Sequence, residues 1–376
     1  MKFVVYSSEL SSRMQTIGRV ITTKNSIQIL SCFLFEIKGN TLRLLASDSE
    51  NMLYTSLPLI ESDVDGTFAI NAKNAVDAIR NIPEQPISIY LNESTMELVI
   101  EYQNGKYTLM AEKADEYPIF PEIAAEATAI TLPSEYVLRS ITRALPATTD
   151  DDSRPVMTGI YFDVMPESIT IVASDGHKLV SGTLTPEEKL TEEAKSFILP
   201  KKPALLMKTL LSKDTEDTTI KFTPQNAVIA NANYTLSCRL IEGKYPNYKG
   251  AIPTTSSSEL VVDRAAILGA LSRTLALATS TAALIKVKID QNEVVLESQN
   301  VDYAMAAVES LTCRYDGTPM NIGFKGSVFM ELINNLEFET LSFKVIDPTR
   351  PCVITADVET GVERSLALIM PMMLND

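Results

Sequence analysis

The 376-residue chain has no tryptophan, one histidine, four cysteines and only fourteen glycines. Each scarcity removes a class of function. With one histidine and no C-x-x-C pair among Cys32, Cys238, Cys313 and Cys352, a zinc cluster has no ligand set. The isolated cysteines are expected to be reduced and mostly buried, acting as small hydrophobes. The phosphate-cradling patterns G-x-x-x-x-G-K-[ST] and G-x-G-x-x-G are absent. No apolar run approaches the ~18 residues that span a bilayer. The start, Met1-Lys2-Phe3-Val4-Val5-Tyr6, lacks the apolar core and cleavage site of a secretory signal and reads as a first strand. A cytoplasmic protein with no metal, no cofactor and no membrane partner is expected.

What the chain does have is repetition. Ala46-Ser47-Asp48 returns as Ala173-Ser174-Asp175, 127 residues later. Tyr117-Pro118, Tyr245-Pro246 and Met370-Pro371 close three copies at steps of 128 and 125. Periods of this length are domains rather than solenoid units. The prolines near positions 120 and 250 set boundaries at 1–121, 122–251 and 252–376.

Each copy opens with a helix. Ser8, Ser134 and Asp263 are the expected N-caps, because their side-chain oxygens accept from free first-turn amides. Leu10, Met14, Ile17 and Ile21 follow helical spacing and predict one buried face. Hairpins follow at Cys32–Ile37 with Thr41–Leu45, Gly159–Val164 with Ile169–Val172, and Ile285–Ile289 with Glu293–Leu296. Second helices are predicted at about 72–82, 201–212 and 325–336, and further strands finish each copy, among them Met96–Tyr102 and Lys106–Ala111. The fold class is therefore α+β: three tandem similar domains of antiparallel sheet, each with two helices.

The net charge of −15 argues against a nucleic-acid partner only if charge is spread evenly. It is not. The six helical segments, with nearby Lys24, hold thirteen basic and six acidic side chains, which leaves about −22 on the remainder. With helices on one side of the sheets, one face would be basic. Few aromatics interleave with those charges, a pattern suited to phosphate backbone rather than bases.

Ser174-Asp175-Gly176-His177-Lys178 holds three catalytic residue types, but four consecutive positions make poor triad geometry. The same Ser-Asp recurs at Ser47-Asp48 without histidine, so a shared turn presenting His177 and Lys178 is the better reading. A hydrolase and a DNA-free repeat scaffold are the competing classes. The apolar Leu366–Leu374 end either seals the third core or lines an adaptable pocket, since methionine accommodates varied partners.

Several of these segments together resemble the bacterial DNA polymerase III β subunit, the replicative sliding clamp, over the whole chain. They are Ile29-Leu30, Ala173–Leu179, Leu199-Pro200-Lys201-Lys202, Leu240–Tyr248, Ile322-Gly323-Phe324 and Met370-Pro371-Met372. The resemblance implies a clamp fold and a head-to-tail homodimer, closed as a ring around double-stranded DNA without sequence readout. It implies no catalytic site of its own. Its partners would be DNA polymerase III, clamp-loader subunits and other proteins with a clamp-binding motif. By analogy Lys24, Lys73, Arg154, Lys201 and Lys202 lie near DNA. A partner-peptide pocket would use Met157, Ser174, Gly176, His177, Lys178 and Leu179. Pro246 and Ala251 would follow, with Leu368, Met370, Pro371 and Met372 from the tail. Tyr107, Leu275 and Leu277 would join the dimer contact. Gly250 and Met373 stand where the family often carries basic residues.

Overall fold

A computed structural model describes residues 1–22, 27–118, 123–212, 216–254, 258–276, 284–300, 305–356 and 362–374. Six α-helices lie among them: α1 Ser7–Ile17, α2 Ala72–Ile79, α3 Ser134–Ala144, α4 Lys201–Leu211, α5 Arg264–Leu275 and α6 Gly326–Asn334. Among the described residues all strand pairs are antiparallel; hairpins supply many of them, and longer returns of the chain supply the rest. The three expected hairpins are present as Cys32–Lys38 with Thr41–Ser47, Ile160–Met165 with Ser168–Ser174, and Leu284–Ile289 with Glu293–Asn300.

The chain packs as two compact units, 1–138 with 202–240, and 139–201 with 241–376. In the first, a thirteen-stranded sheet joins the first copy to part of the second, through Asn51–Pro58 paired with Tyr234–Arg239. In the second, a nine-stranded sheet joins the rest of the second copy to the third, through Lys178–Leu184 paired with Glu363–Ile369. Both joints obey one rule: the strand after the Ser-Asp turn pairs with the closing strand of the next copy. A four-stranded sheet ends at Met305–Thr312, the third copy's equivalent of the strand after the turn.

Leu10, Met14 and Ile17 are fully buried, together with Phe3, Phe33 and Phe68, in the first unit. Burial of such side chains contributes about 1.5–3 kcal/mol each. Ile21 departs from the expected face. The helix stops at Ile17, a 3-10 turn takes over at Gly18–Val20, and Val20 is the buried residue instead. Gly18 lies close to the Phe33 ring, which a Cβ there would meet at 3.2 Å.

The caps also differ. Only Asp263 acts as expected, accepting from the Ala266 amide at 2.7 Å. α1 begins at Ser7 behind Tyr6, so Ser8 is already helical, and Ser7 bonds Pro83 and Gln85 instead. Ser134 is likewise inside its helix, its hydroxyl paired with that of Thr218 at 2.6 Å. Three of the cysteines are buried and Cys313 is half-buried; all four are free thiols, and burial pushes those of Cys32, Cys238 and Cys352 up to about 12.

Candidate functional site

The Ser-Asp turns share one construction. Ser174 Oγ donates to the Lys178 carbonyl and accepts the Gly176 amide, while Asp175 Oδ1 accepts the amides of His177 and Lys178, both at 2.8 Å. Ser47 and Asp48 do the same, with Ser47 bonding Asn51 and Ser49, and Asp48 accepting the amides of Glu50 and Asn51. The third turn position has positive φ in both, +78° at Ser49 and +90° at Gly176. Glycine takes that backbone without strain. Ser174 and Asp175 thus serve turn geometry, which leaves no nucleophile and orienting acid for His177.

This turn lies against a buried apolar cluster in the second unit, with the Ser174 amide on the Tyr245 hydroxyl. The cluster is Val172, Leu179, Ile198, Tyr245, Tyr248, Val353 and Leu368, with Val156 and Ile252 packed alongside. Leu179 and Leu368 lie opposite each other in the joint between copies. The 3-10 turn Pro155–Met157 places Val156 against this cluster, with Met157 buried. Pro246 and Ala251, both exposed, lie in the segment that carries Tyr245 and Tyr248. The tail is held by two backbone bonds. Met370 N donates to His177 O, and Met372 N donates to Gly323 O, both at 2.8 Å. Met370 and Met372 remain 37% and 38% exposed. Gly176 and His177 are exposed and Pro371 is half-buried. The turn, the Pro155–Met157 segment, the Tyr245–Tyr248 segment and the strand leading to the tail thus adjoin one buried apolar cluster.

Lys178 does so differently from expectation. Its side chain is buried and its ammonium meets Glu331 of α6 at 2.7 Å, rather than being presented outward. Arg154 also belongs to this site. Its Nε bonds Asp151 and its Nη1 donates to the Asp175 carbonyl at 2.9 Å, linking the segment before Pro155 to the Ser174–Lys178 turn. Hydrogen bonds from Ser153 and Arg154 hold the Asp151 carboxyl down at about 2.

Sequence reasoning missed the scaffold beneath these residues. Tyr161 and Asp163 alternate on one face of the strand Ile160–Met165. Tyr161 stacks on Tyr245 at 4.7 Å, and Asp163 accepts from the Tyr248 hydroxyl at 2.7 Å and from Lys249 at 2.9 Å. The available signal was an acid beside aromatics in a strand whose other face is apolar. The Tyr245 hydroxyl accepts the Ser174 amide at 3.0 Å, as the Tyr117 hydroxyl does from the backbone of Ser47.

Burial raises Tyr245 to about 12, and raises Tyr117 and Tyr248 in the same direction. An unfolded tyrosine titrates near ~10, so the native state holds these protons more tightly. Their stability contribution is complete below pH ~10 and is lost as pH rises toward about 12. Urea midpoints are expected to be flat from pH ~7 to ~9.5 and then to fall, and Tyr245→Phe to flatten that fall by on the order of 2–3 kcal/mol. An unchanged slope in the variant would exclude Tyr245 as a source.

The helical cations are less available than their count suggests. Arg139 and Arg143 grip Glu363, and Arg143 also Glu337. Arg273 pairs with Glu309, Arg80 with Asp77, and Lys201 with Asp150. Lys202 meets Asp48 at 2.5 Å and the Val20 carbonyl at 2.6 Å, tying the start of α4 to the 3-10 turn that follows α1. Lys73 is exposed on the first turn of α2, and Lys208 and Lys325 are exposed as well. Lys24 and Leu277 lie outside the described residues. Tyr107, 38% exposed, sits on the closing strand Gly105–Glu112, and Leu275 ends α5 half-buried. Among the described residues no cluster of His, Cys, Asp and Glu is arranged to hold a metal, and no helix is long and apolar enough to cross a membrane.

Repeated α+β copies, joined sheet to sheet by one pairing rule, define a clamp-type architecture. Models of the N-terminal, central and C-terminal domains of the DNA polymerase III beta subunit match residues 1–121, 131–247 and 249–373. The chain belongs to that family and is a DNA sliding clamp, a processivity factor rather than an enzyme. It is 24% identical to the beta sliding clamp of Haemophilus influenzae over 374 residues, and 22% identical to that of Escherichia coli over 376, with all of both chains covered in each case. Crystal structures of the DNA polymerase III subunit beta of Pseudomonas aeruginosa and the DNA polymerase sliding clamp of Bacillus subtilis share its fold. Each gives a TM-score of 0.92, at 22% and 21% identity, with all of both chains covered.

Proposed function

We propose that two copies of this chain join head to tail and close a ring around duplex DNA, acting in the cytoplasm. The ring tethers DNA polymerase III, clamp-loader subunits and other proteins bearing a clamp-binding segment. The three domains are 1–121, 122–251 and 252–376. The observation that carries this reading is the pairing rule. Asn51–Pro58 takes the closing strand of the second copy, and Lys178–Leu184 takes that of the third. Among the described residues the strand Met305–Thr312 pairs on one side only and stands at a sheet edge. Gly105–Glu112, the first copy's closing strand, pairs with Gly66–Asn71 only through Ala111 and Glu112. A second chain satisfies both edges, and the contact is heterologous yet closes after two subunits.

Register follows from the two existing joints. Leu53 faces Leu236 and Val180 faces Ala367. Carried through the hairpins, where Ser298 faces Ala307 and Ile100 faces Tyr107, the rule sets Ala307 opposite Tyr107 of the second chain. Val308, 63% exposed, then falls opposite Lys106. Leu275 and Leu277 belong to the same contact.

Tethering is topological, so phosphate contacts need only be weak. Lys24, Lys73, Arg154, Lys201 and Lys202 are the proposed DNA-side cations. Surface ion pairs contribute about 0–1 kcal/mol, so a phosphate can compete for Lys201 with the exposed Asp150. The pocket built from Met157, the Ser174–Leu179 turn, Pro246, Ala251 and the methionine tail receives partner peptides. The deciding measurement is retention on DNA: protein loaded on closed circles should stay through gel filtration at high salt and leave when the circle is cut. Equal retention on circular and linear DNA would exclude encirclement.

A further inference from the structure

A groove of about 680 Å³ lies within the first copy, between the end of α1 and the start of α2. That is the size of a small-molecule site. Met14 and Phe33, both fully buried, form its floor, and the half-buried Ile21 and Val76 stand at its sides. Gly18 keeps it open. Its backbone is right-handed helical, with φ −59°, so the position does not need glycine for its conformation. What the missing side chain supplies is space, because a Cβ there would meet only the Phe33 ring. The second copy shows the alternative. Its 3-10 turn Leu145–Ala147 follows α3 as Gly18–Val20 follows α1, and Ala147 is buried as Val20 is. Leu145 thus stands at the position of Gly18, and Thr148 and Thr149 are buried where Ile21 and Thr22 are half-buried.

The charge along this groove has one available sign. Arg19 and Lys73 line it, both are exposed, and neither has an ion pair among the described residues. Arg19 Nη1 meets the Thr209 hydroxyl at 3.4 Å, a weak contact. The acid of the wall, Asp77, is already paired with Arg80. Asn71, Ala72 and Lys73 also bring the first turn of α2 into the wall, and a helix start favours negative charge. We propose that the groove binds a small amphipathic anion. Its apolar body lies over Phe33 between Ile21 and Val76, and its acidic head meets Arg19 and Lys73. Burial of the body and attraction of the head are separate contributions, and only the second is screened by salt. Every residue involved lies in the first copy, so the site depends on neither the ring nor the peptide reading.

The test titrates the full-length protein with two fluorescent probes, anilinonaphthalene sulfonate and the same ring system without its sulfonate, phenylnaphthylamine. Gly18→Leu fills the groove from its wall, so the sulfonate probe should lose one site per chain or bind about tenfold more weakly there. Apolar surface elsewhere also takes up such probes, and the difference between the two proteins removes that background. Arg19→Gln and Lys73→Gln should each weaken the sulfonate probe by about fivefold at low salt and leave the neutral probe within about twofold. Thermal melts report whether each variant is folded, and if Gly18→Leu is not, the two exposed glutamine variants decide. Unchanged stoichiometry and affinity in folded Gly18→Leu would overturn the site. Glutamine variants that leave the sulfonate probe unmoved, or weaken both probes alike, would overturn the anionic head.

Discussion

Replacing Tyr107 by aspartate is expected to leave the protein monomeric at micromolar concentration and to abolish its retention on closed circular DNA. Tyr107 is 38% exposed in the single chain and its ring rests on Tyr102 at 5.5 Å, so the monomer tolerates the change. At the proposed joint the ring would lie on the sheet's inner face against Ala307, where aromatic residues commonly dominate an interface. Losing its burial costs about 2–3 kcal/mol per joint, and a carboxylate there adds desolvation. A two-joint ring feels this twice, so dimer affinity should drop by about 10³-fold or more. Sedimentation equilibrium reads the outcome directly, and a variant dimer of unchanged affinity would place the contact elsewhere. Register has its own check. Val308→Lys should weaken the dimer modestly by facing Lys106, and Lys106→Glu should restore it, since cross-strand charge pairs contribute about 0.2–1 kcal/mol.

The second large effect concerns the tail. A Cβ on Gly323 would meet the Met372 carbonyl at 2.6 Å and the Leu374 side chain at 2.9 Å. The Met372 amide also bonds the Gly323 carbonyl, so the tail lies directly on this residue. Gly323→Ala must therefore lift the tail from the strand Met320–Lys325. Met370 and Met372 would leave the site, and affinity for a pocket-binding peptide should fall by about ten- to a hundredfold. The other close neighbour, Leu284 at 3.1 Å, is a side chain that can shift. The melting temperature should therefore fall by no more than a few degrees. Undiminished peptide affinity in a folded variant would show that the tail takes no part in binding.

Much of the fold was legible because its signals are local or repeated. Ala46-Ser47-Asp48 and Ala173-Ser174-Asp175 mark the same turn, and alternation on either side gives the strands. The caps were misread because Ser7 and Ser134 have bonding partners 76 and 84 residues away, which no window along the chain reveals. The same holds for charge. Lys202 finds Asp48 and Arg139 finds Glu363 across more than 150 residues, so counting helical cations overstated what faces outward. Within the site, the turn and the tail were visible as motifs, while Asp163 was hidden inside an ordinary strand. Its role depends on a segment that returns 85 residues later.

The two ion pairs that tie a Ser-Asp turn to the next copy's second helix have opposite polarity. Asp48 offers an acid to Lys202, whereas Lys178 offers a base to Glu331. In a chain of like parts, such pairs act as keyed couplings. Exchanging the second and third copies would leave Asp48 without its lysine and Lys178 without its glutamate, exposing one buried charge at each joint. The order of the copies is thus written into the charges at their seams.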